Sequence, residues 1–189
     1  MNDEQALPTF QIVADSSGFM TDAEMDSLIA ELSPSLSGGT IGLGVTDASI
    51  RRSRIVYIKK VGRYRWLYKR FWEVAQEMNQ RNFGVNLAYL EDKMQLARYD
   101  ESDSGFYDWH TDFAGITPRR KLSISVQLSR PEDYDGGDLE LLFTSSPYKA
   151  ARERGKFIVF PSFCLHRVTP VTRGTRWSLV AWVLGTRWR

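Results

Sequence analysis

The chain has 189 residues, 42% hydrophobic and 25% charged, which is enough for one domain with a substantial core and lies outside the compositions of disordered or fibrous proteins. Its 25 Lys and Arg stand against 23 Asp and Glu, a net charge of +2 that is too balanced to imply a nucleic-acid partner, and none is expected. Cys164 is the only cysteine, so the chain can form neither an internal disulfide nor a thiolate metal cluster.

The segment "MNDEQALPTFQIVADS" is acidic and lacks the basic start and apolar run of a secretory signal. No apolar segment approaches the ~20 residues that span a bilayer. These features predict a cytoplasmic protein without membrane association. In "TDAEMDSLIAEL", Thr21 and Glu24 have the spacing of a capping box, in which hydroxyl and carboxylate each satisfy a free backbone N–H at a helix start. Met25, Leu28, Ile29 and Leu32 form one apolar stripe, and Pro34 ends the helix. "SGGTIGLG" reads as a glycine-rich loop, too irregular for a phosphate-binding loop. The basic clusters "RRSR" at 51 to 54 and "RWR" at 187 to 189 could bind anions, but solvated basic patches are the commoner case. A second helix is expected from about Tyr64 to Asn79, where Leu67, Phe71, Val74, Ala75 and Met78 recur at three and four residues.

From about Asn86 the pattern changes to short alternating segments bounded by Gly, Pro, Asp and Ser. In "KLSISVQL", Leu122, Ile124, Val126 and Leu128 share one face, and Lys121, Ser123, Ser125 and Gln127 share the other. "YDGGDLELLF", "GKFIVFPS" and "TRWSLVAWVLG" read as further strands, with the glycines at 136 and 137 turning the chain and Asp138 capping that turn. Helices followed by strands predict one α+β, mainly β domain over 1–189. A helical support region at 1–85 would pack on one sheet of a double-stranded β-helix (a cupin-like jelly roll) at 86–189.

The chain has two histidines, His110 and His166. In "GFYDWHTDFAG", His110 and Asp112 point the same way if the segment is extended. His166 lies 56 residues on, with three candidate strands between, so a sandwich can bring the two together. Two imidazoles and a carboxylate form the facial triad of non-heme Fe(II) oxygenases. Zinc accepts similar ligands, but the helical H-E-x-x-H of hydrolytic zinc sites is absent. By itself a His-x-Asp favours the plainer reading, in which the histidines only satisfy hydrogen bonds. What tips the balance is Arg176. Counting by twos, Ser178, Val180 and Trp182 share its face, and an arginine among such neighbours is costly to bury unless it meets an anion. A carboxylate in the guanidinium's bidentate fork meets that need.

"LARYDESDSGFYDWHTD", "LSISVQLS", "YDGGDLEL" and "GKFIVFPSFCLHRVTPVTRGTRWSLVAWV", in that order over about 95–185, resemble the 2-oxoglutarate and Fe(II)-dependent dioxygenases, in particular the prolyl-4-hydroxylase-like branch with its PKHD-type hydroxylases. The resemblance implies His110, Asp112 and His166 as iron ligands and Arg176 as the partner of the distal carboxylate of 2-oxoglutarate. Tyr99 would donate its hydroxyl to the same carboxylate, with Ser178 assisting. Trp182 would flank the metal or simply wall the cavity, and Asp108 would orient an imidazole N–H. The implied cofactors are Fe(II), 2-oxoglutarate and O2, with ascorbate in support. The implied reaction is hydroxylation of a C–H bond, releasing succinate and carbon dioxide. The substrate would be a protein or peptide residue such as proline, or an amino-acid-like small molecule. The rival readings are an oxidative nucleic-acid demethylase of the same superfamily and a non-enzymatic metal-binding jelly-roll module. Substrate choice would reside in "DESDSG", "RPEDYDG" and "TSSPYKAARERG", with Tyr148, Arg152 and Arg154 as candidate contacts.

Overall fold

The computed structural model describes residues 13–41, 44–113 and 118–186. In chain order its elements are β1 (Ala14–Ser16), α1 (Asp22–Leu32), β2 (Ser37–Gly38), β3 (Arg51–Arg52), β4 (Arg54–Lys59), α2 (Arg65–Met78), β5 (Leu87–Leu90) and β6 (Lys93–Asp100). They continue with β7 (Phe106–His110), β8 (Arg120–Gln127), β9 (Tyr134–Gly136), β10 (Leu139–Leu142), β11 (Tyr148–Lys149), β12 (Phe157–Pro161), β13 (Leu165–Val168) and β14 (Val171–Gly185). The expectations for "RWR" and for the first twelve residues of the N-terminal segment lie outside the described residues.

A capping box starts α1, and a glycine follows the end of α2. The Thr21 hydroxyl accepts the Glu24 N–H at 3.2 Å, and Glu24 Oε2 accepts the Thr21 N–H at 2.8 Å, so the capping box closes α1. Met25, Leu28 and Leu32 are buried, and a 3₁₀ turn containing Pro34 follows. In α2 the stripe Leu67, Tyr68, Phe71, Ala75 and Met78 is buried, and a π-turn over Asn79–Phe83 ends at Gly84, whose φ of 62° suits a residue without Cβ.

The strands form two antiparallel sheets. The larger runs β1-β12-β8-β14-β6-β4-β2, with β5 and β9 pairing different stretches of the long β14. The smaller runs β11-β10-β13-β7-β3. Helices α1 and α2 pack on one face of the large sheet, joining Phe71 and Met25 to Leu122, Phe157 and Leu179 in one core. There Phe19 meets Phe71 edge-on at 4.8 Å and Phe157 lies 5.1 Å from Phe71. The opposite face of the large sheet looks toward the small sheet.

The reading of 1–85 as helical support needs correction. That stretch also supplies four strands: β4 pairs with β6 inside the large sheet, β1 and β2 lie along it, and β3 closes the edge of the small one. Strands β1, β2 and β3, of two or three residues, are too short to show an alternation, whereas the six-residue β4, "RIVYIK", carries a β-branched run that the reading of this stretch as helical passed over. In "SGGTIGLG" the first two residues form β2, so that stretch is not loop throughout, and its positions 42 and 43 lie outside the described residues.

Candidate metal centre

The two histidines meet because of strand register. β13 and β7 run antiparallel side by side, and His166 pairs directly with His110. Their rings lie 4.1 Å apart. Asp112 follows just beyond the end of β7, where its N–H donates to the Ser162 carbonyl at 3.0 Å. Its Oδ1 lies 4.0 Å from His110 Nε2 and its Oδ2 lies 3.5 Å from His166 Nε2. One ligand atom from each of the three residues falls within 4.8 Å of the others, a grouping able to hold a metal ion.

The imidazoles are held in one tautomer by the backbone. His110 Nδ1 donates to the Asp108 carbonyl at 2.7 Å, and His166 Nδ1 donates to the Cys164 carbonyl at 2.9 Å. A carbonyl cannot donate, so each Nδ1 carries the proton and each Nε2 presents a lone pair toward Asp112. Burial, and then the neighbouring His166, hold the His110 imidazole well below the usual histidine range, which keeps it neutral. For Asp112 burial alone would raise the carboxyl, but the facing His166 and His110 in their protonated form, then Arg120 and the Ser123 hydroxyl, outweigh it and favour the carboxylate. Ser123 Oγ donates to Asp112 Oδ2 at 2.6 Å and lies 3.1 Å from Ser162 Oγ.

Asp108 does contribute to imidazole orientation, but not through its carboxylate. The side chain is exposed and accepts the Trp109 N–H at 2.8 Å, and the main-chain carbonyl is what holds His110. Asp138, expected to cap the glycine turn, instead pairs with Lys149 at 3.0 Å and Arg152 at 3.3 Å. Arg154 is likewise engaged, with Asp26 and Asp22 of α1. Arg152 and Arg154 are therefore structural, whereas Tyr148 is exposed.

A cavity of about 330 Å³ opens over the triad between the two sheets. Arg176, Ser178, Val180 and Trp182 of β14 all line it, as their shared face requires. Arg176 is 1% exposed, and its Nη2 donates to Gln127 Oε1 at 3.0 Å and its Nη1 to Ser178 Oγ at 3.4 Å. Its Nε is buried with no hydrogen-bond partner, and no carboxylate pairs with it among the described residues. Tyr99 is its cross-strand neighbour on β6, with the guanidinium 5.5 Å from the ring. Gly137 at φ 61° lets the chain pass close to this arginine, since a Cβ there would lie 3.0 Å from Arg176 Cδ. Trp182 Nε1 is buried and unpartnered, and the Arg120 guanidinium stacks 3.9 Å over its ring while binding Glu91 at 2.8 and 3.1 Å.

Sequence reasoning left out Ser123, Gln127 and Tyr107, and the reading of "RRSR" as a solvated patch fails at Arg51, which is buried. The first two lie on the polar face of "KLSISVQL", and that face buried against a cavity was the available signal. Tyr107, three residues before His110, stacks on its ring at 3.5 Å.

Residues 94–184 match the family model of the 2OG-Fe(II) oxygenase superfamily. A PKHD-type hydroxylase of Synechococcus sp. is 42% identical over 82 residues, 41% of this chain and 37% of that protein. The matched stretch spans between 29% and 55% of the length of such curated relatives. Among solved structures, a Pseudomonas putida prolyl-4-hydroxylase aligns over 93% of both chains with a TM-score of 0.73 at 21% identity. A Trichoplax adhaerens prolyl hydroxylase, solved with a hypoxia inducible factor peptide, covers 92% of this chain and 84% of its own with a TM-score of 0.78 at 19% identity. These two likenesses establish the double-stranded β-helix fold.

Proposed function

We propose that the chain is a member of the 2OG-Fe(II) oxygenase superfamily, whose family model residues 94–184 match, and that it is an Fe(II)- and 2-oxoglutarate-dependent dioxygenase that hydroxylates a C–H bond of a protein or peptide residue, proline being the leading candidate. In this reading 1–189 acts as one domain in the cytoplasm. The observation that carries it is the buried, carboxylate-free Arg176 in the same cavity as the His110, Asp112 and His166 cluster. A guanidinium so placed costs several kcal/mol unless an anion joins it.

The residues present fit the group the family uses. His110 and His166 would bind iron through Nε2, since both Nδ1 atoms are committed to carbonyls, and Asp112 would complete the set. Bound iron with 2-oxoglutarate and O2 supplies the oxidising equivalents, yielding succinate, carbon dioxide and the hydroxylated product, with ascorbate as a supporting reductant. The protein's share is orientation. Arg176 would receive the distal carboxylate of the co-substrate, helped by Tyr99 and Ser178, while Gln127 keeps the guanidinium in place without neutralising it. Trp182 and Tyr107 would wall the metal side of the cavity and exclude water.

Succinate formation from 2-oxoglutarate under air, with Fe(II) and ascorbate, tests the proposal. Turnover is expected in the natural protein, absent in His110→Ala and shifted to higher 2-oxoglutarate concentration in Arg176→Ala. If the metal-loaded protein neither turns over nor binds 2-oxoglutarate anaerobically, the chain is a metal-binding jelly-roll module.

A further inference from the structure

A second buried arginine lines the same cavity and has the same construction as Arg176. Arg51 of β3 is 6% exposed. Its Nε donates to Ser53 Oγ at 2.7 Å, its Nη1 to the Thr40 carbonyl at 2.9 Å and its Nη2 to Gln95 Oε1 at 2.7 Å. All three acceptors are neutral, and no carboxylate pairs with Arg51 among the described residues. Three of the five guanidinium N–H groups are thereby used, leaving one on each terminal nitrogen, the number a bidentate carboxylate needs. An arginine needed only for packing is stabilised better by a glutamate, whereas a glutamine holds the fork and preserves its charge.

Its position bears on the chemistry. The Arg51 guanidinium lies 4.5 Å over the Tyr107 ring, and that ring stacks on His110. Gln95 and Tyr99 stand on the same face of β6, four residues or about 13 Å apart along the strand. Gln95 holds Arg51 and Tyr99 neighbours Arg176, so two charged forks mark separate points along one cavity. Among the described residues the cavity walls carry Arg51, Lys93, Arg120 and Arg176 against Glu91 and Asp112, and Glu91 is taken up by Arg120. A divalent metal and a 2-oxoglutarate dianion cancel each other's formal charge, so the excess of positive charge remains for the substrate.

We propose that Arg51 seats a carboxylate of the substrate, so that the group oxidised lies close to an acidic function. As a statement about substrate this rests on the dioxygenase reading, but the anion seat itself can be tested without turnover. The probe is N-acetylglycine, with its uncharged amide N-acetylglycinamide as control, titrated into Zn(II)-loaded protein already saturated with 2-oxoglutarate. N-acetylglycine is expected to bind alongside the co-substrate, with the amide weaker by about tenfold or more. Arg51→Met and Gln95→Glu should each weaken N-acetylglycine by at least about tenfold and leave 2-oxoglutarate binding unchanged, while Arg176→Met should do the reverse. Gln95→Glu keeps the arginine and the size of its partner, so it reads the seat even if Arg51→Met does not fold. Equal binding of acid and amide, no saturable binding of the acid, displacement of 2-oxoglutarate by it, or an unchanged affinity in Gln95→Glu would overturn the proposal. If the acid binds through Arg51 but 2-oxoglutarate does not bind at all, the seat stands and the dioxygenase reading falls.

Discussion

Strands β8 and β14 each carry two faces of opposite chemistry, and both faces are buried. Toward the helices they present Leu122, Ile124 and Val126 beside Leu179, Ala181 and Val183, packed with Phe71 and Phe157. Toward the small sheet they present Ser123, Ser125 and Gln127 beside Arg176, Ser178 and Trp182. The first face stabilises by removing apolar surface from water, about 25 cal/mol per Å². The second buries hydroxyls, an amide and a cation, which lowers stability unless each finds a partner. Stability and chemistry are thus divided between two sides of the same strands. Substitutions on the two sides should separate cleanly.

The largest effect is expected on the apolar face. Leu179 is fully buried, and Leu179→Ala should cost about 2–5 kcal/mol in urea unfolding, with 2-oxoglutarate affinity unchanged in whatever fraction stays folded. The division would fail if affinity fell as well. Arg176→Met should do the opposite. Losing a charge-assisted contact worth about 1.5–3 kcal/mol, it should weaken 2-oxoglutarate binding roughly 10- to 100-fold. Its thermal midpoint without co-substrate should hold or rise, because a buried, carboxylate-free cation has been replaced by an apolar chain of similar volume. A drop in midpoint would mean that Arg176 is part of the scaffold.

Ser123→Ala sharpens the comparison on the cavity side. The hydroxyl it removes orients Asp112 at 2.6 Å, so Mn(II) affinity measured by titration should fall about tenfold with little change in stability. The smallest effect is expected at a residue that does not line the cavity. Thr21→Ala opens the capping box of α1 and should cost about 1 kcal/mol, read as a lower midpoint with metal and co-substrate binding intact.

Much of this arrangement could be read along the chain where the information is local. The capping box, the stripe of α2 and the common face of Arg176, Ser178 and Trp182 follow from spacings of two, three and four residues, and such spacings keep their meaning in any fold. The parts that stayed hidden depend on partners far apart in sequence. Arg51 and Gln95 are 44 residues apart, and β3 is only two residues long, too short for any periodicity. Asp108 had the right position and the wrong atom, because its exposed side chain turns to Trp109 and leaves the work to a carbonyl that every residue possesses.

The sequence by itself determined which residues could carry the chemistry: two histidines, an aspartate two residues from one of them, and an arginine set among apolar neighbours. Short-range sterics and the alternation of side chains along a strand were sufficient for that. Only the tertiary structure decided that His166 faces His110, that both imidazoles donate Nδ1–H to carbonyls, and that Arg51 and Arg176 look into one cavity. Each of these depends on strand register, in the small sheet for His110, His166 and Arg51 and in the large sheet for Arg176, and a slip of one residue would turn the slipped strand's side chains the other way.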